Sequence, residues 1–496
     1  MIPSVRTALR AALVAGFALL GGCATLPHEG PRARLSRPYP VRREVRALAA
    51  AGITRRDAWP APRWWRAFGD PQLDRIVAEG LAGSPNLAAA AARLRLANSQ
   101  AALARAATLP ALDAQGEIDR QRLSDNGLIP PPFAGAALTT GELALNAAYD
   151  LDWWGKNRAA LRAALSEAQA ARAESAAARL LLSTAVVGAY FSLQVDGERL
   201  AVTQRAAADR TTLARLVDAR VDHGLEDASA SAEAAAARAR AHAQVIAAQE
   251  AVALDRQRLG VLIGQGPDAG AGIALPRRVL PTVLAVPAHL PLELLARRPD
   301  LAAQRARVEA AAQRIHAARA GFYPDINLAA TVGQQSFTLG QLLAPGSRMG
   351  SIGIAVDLPI FDGGRLRAVL HARNAEYDAA VETYNQLLLT AAGEVAHALT
   401  QIQAVAREGR AQRAAEAKAK RAYALARLRY AHGLSSDLDV LQVEQEVLAA
   451  QEAVVAVRGA ALHARVDLVQ ALGGGFVAAG GSRQARGPSG EIHARQ

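Results

Sequence analysis

The chain has almost no cysteine, few aromatic residues and no common catalytic motif. Its 496 residues include one cysteine, Cys23, which excludes disulfides within the chain. Tryptophan, tyrosine and phenylalanine make up only 4% of the sequence, whereas alanine is abundant. Together these two features point to long helices that approach one another closely. We find no H-E-x-x-H, G-x-S-x-G or Walker sequence, and the ten histidines are scattered. The sequence therefore predicts a protein that is not an enzyme and needs no cofactor or metal.

Long hydrophobic runs are also missing beyond the N-terminus. No later segment approaches the roughly 18 continuous apolar residues of a membrane-spanning helix. If the chain crosses a membrane, we therefore expect β-strands to do so. The net charge of +12 could indicate a nucleic-acid or lipid partner, but the arginines are spread along helix faces. A solvated, slightly basic surface accounts for this charge, and no nucleic-acid partner is expected.

The N-terminus has the pattern of an export signal. Arg6 and Arg10 precede the apolar run 11–19, and Leu20-Gly21-Gly22-Cys23 follows. This segment resembles a bacterial lipoprotein signal, which implies cleavage before Cys23 and lipidation of Cys23, palmitate included. Ala24, in place of aspartate, implies export to the outer membrane. The alternative is an ordinary secretory signal with an incidental cysteine.

Four segments alternate apolar and polar residues with a period of two. They predict strands at about 110–121, 142–152, 324–335 and 350–358, in two pairs that are each joined by a loop. Each is close to the ~9–11 residues that a tilted strand needs to cross a bilayer. The alternative is a soluble sandwich, but helical patterns surround all four segments and argue against it.

The two strand pairs belong to an internal duplication. Matching residues recur at a spacing of 214 positions around the first helix of each copy and of 209 positions at a later turn. The matched positions are Pro85, Leu87, Leu94, Arg105 and Pro110 with Pro299, Leu301, Val308, Arg319 and Pro324, and Arg220, His223 and Gly224 with Arg429, His432 and Gly433.

Four strands cannot complete a membrane barrel, because free edges leave unpaired N–H and C=O groups in hydrocarbon. Three copies would supply twelve strands in a closed ring. The predicted fold is mainly α with a small β part and internally duplicated. Three chains with four strands each form a 12-stranded β-barrel, which a long α-helical coiled-coil barrel continues.

The helical segments carry heptad patterns that support such a coiled coil. A helix from about Gly155 to Arg205 would be on the order of 75 Å long and would project into the periplasm. Its hairpin turn at residues 223–225, and the equivalent turn at 432–434, would lie at the far end. The apolar positions step by threes and fours through Tyr377, Val381, Tyr384, Leu388, Ala391, Val395, Ala398, Ile402 and Val405, and by sevens through Leu434, Leu441, Leu448, Val455, Leu462 and Val469.

Several motifs in order resemble the TolC/NodT-type outer membrane efflux lipoproteins, the outer membrane factors of resistance-nodulation-division tripartite pumps. The resemblance runs from Cys23 to Leu472. Two departures are that Leu87 follows Asn86 without a spacer and that Asp437 replaces an aromatic residue. The motif positions are Trp64, Trp65, Phe68, Asp70, Pro71, Leu73 and Asn86, then 150–158, then Arg297-Arg298-Pro299-Asp300, then 359–365.

The resemblance implies a passive outer membrane duct that exports drugs or other small molecules. It implies as partners two further copies, a periplasmic adaptor, an inner-membrane pump and outer membrane lipid. The periplasmic end would be a gate, for which the candidate residues are Glu226, Asp227, Asp437 and Asp439. Alternatively, these carboxylates cap the helices that follow them. Other possible functions are a duct for type I protein secretion, heavy-metal efflux or, in a different class, a non-conducting envelope scaffold.

The expected organisation follows the duplication. It consists of a signal peptide at 1–22, a lipidated arm at 23–70, the first repeat at 71–263, an equatorial linker at 264–298, the second repeat at 299–472 and a disordered tail at 473–496.

Overall fold

A computed structural model describes residues 30–37, 39, 46, 54–55, 59–276, 286–287 and 297–477. The chain divides into two compact units that cut across both repeats. The sheet unit comprises residues up to Leu35, Arg93–Ala171 and Gln304–Tyr384. The helical unit comprises Ser36–Ala92, Arg172–Ala303 and the residues from Asn385 onward.

Seven helices and a four-stranded sheet make up the described fold. In chain order the elements are α1 (Pro71–Gly83), α2 (Pro85–Ala106), β1 (Ala111–Arg122), β2 (Ala137–Asp150), α3 (Lys156–Asp222), α4 (Ala228–Leu262), α5 (Pro299–Ala320), β3 (Asp325–Ser336), β4 (Arg348–Asp357), α6 (Arg365–Ala431) and α7 (Asp437–Ala471). A two-residue parallel ladder also joins Thr54–Arg55 to Val286–Pro287.

The duplication is visible in the helix lengths. Helices α2 and α5 each have 22 residues, α3 and α6 each have 67, and α4 and α7 each have 35. The two copies therefore fold into the same succession of helix, strand pair and helical hairpin. This confirms the predicted duplicated, mainly α fold with a small β part.

The four strands form one antiparallel sheet in the order β1-β2-β3-β4. Strand β2 starts at Ala137, whereas alternation predicted a start near residue 142, because Thr139 and Thr140 continue the ladder without an apolar pattern. Strand β4 runs over Arg348–Asp357, against the predicted 350–358. All four helix connections leave one end of the sheet, so its two hairpin loops, 123–136 and 337–347, lie at the other end.

The helical unit is built on an aromatic core. Tyr190 and Phe191 of α3 are fully buried, and the Phe191 ring meets the Phe68 ring edge-on at 5.0 Å. The Tyr190 hydroxyl donates to Asp70 Oδ2 at 2.7 Å, while Asp70 Oδ1 accepts from the N–H of Gln72 and caps α1. Burial is the main cause that raises the pKa of Tyr190. Asp70 of the N-terminal motif is thus a buried cap.

Arg298 anchors the start of the second repeat in the helical unit. It is 6% exposed and its guanidinium donates to Asp300 Oδ2 and Glu394 Oε2, each at 2.6 Å. It also donates to the carbonyl of Ala471 at the end of α7, at 3.2 Å. One side chain therefore satisfies a helix end and two carboxylates, which explains an arginine at this motif position.

Most of the predicted heptad positions are buried in the structure, and Tyr377 and Ile402 are half-buried. In α6 Val381 and Val395 are fully buried, and in α7 Leu462 and Val469 are 1% and 0% exposed. Leu434, the first position of the α7 series, is 69% exposed because it lies in the turn before that helix. The seven-residue repeat thus records helix packing within this chain.

Within the described part of the chain, two helices satisfy a length and composition test for membrane spans, against the expectation of none. They are α3 and residues Leu438–Ala471 of α7. The apolar stretch of α3 contains Val186, Val187 and Tyr190, each fully buried in the core of the helical unit. Its apolar character is therefore explained by packing.

Several expected features lie outside the described residues. These are the signal peptide with Cys23, about half of the linker 264–298, and the tail from residue 478. Residues 30–37 of the arm are described, and there the N–H groups of Arg32 and Ala33 donate to Asp378 Oδ1 at 2.8 Å.

Candidate functional site: the sheet faces and the helix turns

Strand register divides the sheet into two chemically different faces. Residues directly opposite each other in neighbouring strands share a face. One face carries large apolar side chains, and its exposed fractions reach 89% at Ile352, 70% at Leu112 and 69% at Ile118 and Ile354. Soluble monomers rarely leave such a broad apolar surface uncovered. The face fits contact with lipid. Its other large members are Leu143, Leu145, Tyr149, Ile326, Leu328, Val332 and Val356.

The opposite face is acidic. Among its strand residues we find no lysine or arginine, and seven carboxylates are distributed over all four strands. These are Asp113, Glu117, Asp119, Glu142, Asp150, Asp325 and Asp357.

Two carboxylate pairs on this face lie directly opposite each other across strands. Glu117 faces Glu142, and Asp325 faces Asp357. Like charges at such positions cost stability, on the order of 0.2–1 kcal/mol per pair. Partial relief comes from Gln335, whose Nε2 donates to Glu142 Oε2 at 3.2 Å, and from Lys156, whose Nζ lies 3.0 Å from Asp325 Oδ2. Packing gives no reason for this arrangement, so a functional reason is favoured.

Strands β1 and β4 are free edges within the described chain. Strand β1 has 12 residues and every one of them is exposed. Long, flat, unprotected edges pair readily with another strand. The outer backbone N–H and C=O groups of β1 and β4 are therefore left without strand partners in the described sheet.

The strand-to-helix junctions are fixed by aspartate caps. Asp152, with φ of 40°, accepts from the N–H groups of Asn157 and Arg158 at 2.8 and 2.9 Å. Asp362 does the same before α6, accepting from Leu366 N–H at 2.8 Å, and these backbone bonds lower its pKa. The junction motifs of the sequence thus start the two longest helices.

Aromatic stacking closes the first junction. The rings of Trp154 and Tyr323 stack with centroids 4.6 Å apart, and Trp154 Nε1 donates to the Pro324 carbonyl at 2.9 Å. The contact ties the β2–α3 connection to the α5–β3 connection within the sheet unit. The two repeats are therefore held in register at the helix end of the sheet.

The hairpin turns have the same geometry in both repeats. Leu225 N–H donates to the Arg220 carbonyl, and Leu434 N–H donates to the Arg429 carbonyl, both at 2.8 Å. Gly224 and the equivalent Gly433 have φ of 66° and 73°, the left-handed conformation that ends a helix.

At these turns the structure shows capping roles for two of the four candidate gate residues. Asp227 accepts from the N–H groups of Ser229 and Ala230 at 3.0 Å, and hydrogen bonds led by that of the Ser229 hydroxyl lower its pKa. Asp439 forms a reciprocal capping box with Ser436, which is the leading cause that lowers its pKa. The charged forms of both carboxylates are therefore favoured.

The other two candidate gate residues are Glu226 and Asp437. Glu226 Oε1 accepts from Arg220 Nη2 at 3.1 Å across the first turn. Asp437 is the first residue of α7, and its side chain lies outside the described part of the structure. Glu226, Asp227 and Asp439 are exposed, so the turns present negative charge to solvent.

The helical unit contains a carboxyl pair that sequence patterns did not single out. Asp255 of α4 is half-buried, and burial raises its pKa to about 7, with Asp196 of α3 adding to the rise and Arg258 opposing it. Asp255 Oδ2 has no hydrogen-bond partner among the described residues. The protonated form of Asp255 is therefore favoured at pH values where an exposed aspartate is fully ionised.

Replacing Asp255 with asparagine should reduce the pH dependence of stability. An unfolded aspartate has a pKa near ~3.9, so the folded chain binds the extra proton between about pH 4 and 7. As the pH rises through this window, the wild-type unfolding free energy should therefore fall relative to that of D255N, by about 1–2 kcal/mol once solvent screening is allowed for. Denaturant unfolding at several pH values measures this, with exposed D222N as the control. Parallel curves for all three proteins would contradict the assignment.

A model of the outer membrane efflux protein family matches residues 76–265 and 290–474, which covers both repeats. The chain belongs to the outer membrane efflux protein family. Its two matched segments correspond to the duplication seen in the helix lengths. Family membership shows that the protein lies in the outer membrane and acts in efflux.

Relatives and solved structures of this family match three quarters of the chain or more. The multidrug resistance outer membrane protein MdtP of Escherichia coli K12 is 32% identical over 482 residues, covering 95% of this chain and 97% of MdtP. The fusaric acid resistance protein FusA of Burkholderia cepacia is 36% identical over 380 residues, covering 75% and 70%. The outer membrane protein VceC of Vibrio cholerae is 37% identical with a TM-score of 0.77, covering 84% and 100%.

Family membership accounts for the open sheet and the apolar face. The predicted efflux function and outer membrane location are therefore confirmed. The opposed carboxylates and the Asp255 pair were missed from sequence, because strand register and helix facing bring together residues that are distant in the chain.

Proposed function

We propose that three copies of this chain pair their free edges and close one 12-stranded barrel. The observation that carries the proposal is the four-stranded sheet with two long exposed edges and an apolar outer face. Unpaired strand edges cannot remain in hydrocarbon, and closure is the way to satisfy them. The acidic face then lines the channel, and the long helices continue the duct into the periplasm.

The duct is passive and exports small toxic molecules, drugs included. Support comes from MdtP and FusA, whose names assign multidrug and fusaric acid resistance to those relatives. The sequence has no nucleotide-binding motif, so the energy comes from an inner-membrane pump that a periplasmic adaptor connects to the duct. The seven carboxylates of each copy favour the passage of cations and disfavour anions.

The hairpin turns form the periplasmic gate of this duct. Glu226, Asp227 and Asp439 are exposed there, and the first of them is held by Arg220. Asp437 belongs to the same proposal by its place at the start of α7. Contact with the adaptor would compete for these charges and helix caps, which couples docking to opening.

Deleting the gene, together with conductance of the purified protein, tests the proposed function. We expect the deletion strain to become at least about fourfold more sensitive to pump substrates, and planar bilayers to show ion conductance. Sensitivity without conductance would indicate a non-conducting scaffold. Conductance with unchanged sensitivity would leave protein secretion or metal efflux as the cargo class.

Cys23 is the proposed site of lipid attachment. Mass spectrometry of the mature protein should show a chain that begins at Cys23 and is heavier than the polypeptide by its acyl groups. More than one acyl group is needed for a stable lipid anchor. In C23S this added mass should disappear, while the barrel itself keeps the protein in the outer membrane. A mature chain that begins elsewhere would exclude the lipoprotein assignment.

A further inference from the structure

Three arginines are the charged residues on the lipid-facing side of the sheet. Arg120 and Arg122 lie in the last three residues of β1, and Arg348 is the first residue of β4. Register places all three on the apolar face, and all are exposed. All three are at the loop end of the sheet, opposite the helices. Among the strand residues of this face there is no aspartate or glutamate.

The positive charges are largely unsatisfied within the described chain. Arg120 and Arg348 have no side-chain partner among the described residues. Arg122 lies 3.7 Å from Asp125 of the adjoining loop, with side chains 73% and 69% exposed. Such an exposed pair contributes little to stability and leaves the guanidinium open to other anions.

Barrel closure concentrates these charges. Strands β1 and β4 are the two edges of the sheet, so the proposed trimer brings β1 of one copy beside β4 of the next. Arg120 and Arg122 then lie near Arg348 of the partner subunit, at the rim away from the periplasm. Three like charges in a low-dielectric surrounding repel one another unless an anion lies between them.

The proposed trimer has three such β1–β4 junctions between neighbouring copies, which we call the seams. We propose that each seam binds the phosphate groups of an anionic lipid in the outer leaflet of the outer membrane. This inference rests on the proposed trimeric barrel. Guanidinium groups match phosphate oxygens with paired hydrogen bonds. Ile118 and Ile352 continue the same face toward the membrane interior, where they would meet acyl chains. The site faces lipid and not the channel, so its occupant is a lipid headgroup and not a transported solute.

Lipopolysaccharide binding to the purified full-length trimer tests the proposal. Native mass spectrometry would count bound lipopolysaccharide in the wild type and in R120Q/R122Q/R348Q. We expect the triple variant to bind about tenfold or more weakly and to lose the rise in trimer dissociation temperature that lipopolysaccharide produces. Enzymatically dephosphorylated lipopolysaccharide should leave the wild type unchanged. The control R238Q/R407Q/R410Q removes three exposed arginines from the helices and should behave as the wild type.

Each outcome decides a different part of the proposal. Equal lipopolysaccharide affinity in wild type and R120Q/R122Q/R348Q would overturn the site. Inorganic phosphate that stabilises the trimer as well as lipopolysaccharide does would make the seam a soluble anion site, and would overturn the lipid assignment. A conducting trimer that does not bind lipopolysaccharide would refute the lipid site but not the proposed barrel. A wild type that never forms trimers would refute the proposed barrel as well.

Discussion

Replacing Ile352 with arginine is expected to abolish assembly in the outer membrane. Ile352 is 89% exposed in the middle of β4, on the face assigned to lipid. An arginine near the bilayer midplane costs about 2–4 kcal/mol, and the trimer would carry this cost three times. Membrane fractionation and heat-modifiable migration in gels measure the assembled fraction, which should fall at least about tenfold.

The adjacent residue supplies a matched control. Ser351 lies opposite Thr331 on the acidic face, so its side chain points into the proposed channel. S351R should assemble normally, because an arginine there meets water and carboxylates. If I352R assembles and S351R does not, the two faces of the sheet have been assigned the wrong way round. Equal assembly of both variants would exclude a membrane-facing surface here.

Reversing the charge of Glu117 and Glu142 is expected to change the ion selectivity of the duct. The two residues are paired across β1 and β2 on the acidic face. In the wild type we expect cations to permeate severalfold better than anions at about 0.1 M salt, where the Debye length is about 10 Å. In E117K/E142K the permeability ratio should drop by on the order of tenfold. Reversal potentials across planar bilayers with a salt gradient measure it.

Neutral variants and high salt separate charge from structure. E117Q/E142Q should give an intermediate ratio and should not lose stability, since it removes a like-charge pair. At about 1 M salt all three proteins should converge, because the Debye length falls to about 3 Å. An unchanged ratio in both variants would show that these carboxylates do not line the conducting path.

Much of the fold was predictable from local patterns. Alternation placed the four strands, and the heptads marked faces that are buried in the structure, such as Val395 and Leu462. The repeat spacing predicted the matched turns, which share hydrogen bonds of 2.8 Å at Leu225 and Leu434. The strands and the helix faces depend on residues close together in sequence, where periodicity carries the physical information.

The site was less predictable because it depends on register. Nothing in the sequence states that Glu117 faces Glu142, since their pairing is set by the ladder between two strands. The same holds for Arg348, which shares a face with Arg120 only through the strand order. At the helix turns the sequence left gate and cap as alternatives for Asp227. The structure shows the cap, and the gate remains a proposal.

In the proposed barrel, one chain holds only part of the wall. The most direct test is the mass of the full-length protein reconstituted in lipid nanodiscs, measured together with conductance of the same preparation. We expect a particle with three copies that conducts ions. A conducting particle that contains a single copy would contradict it.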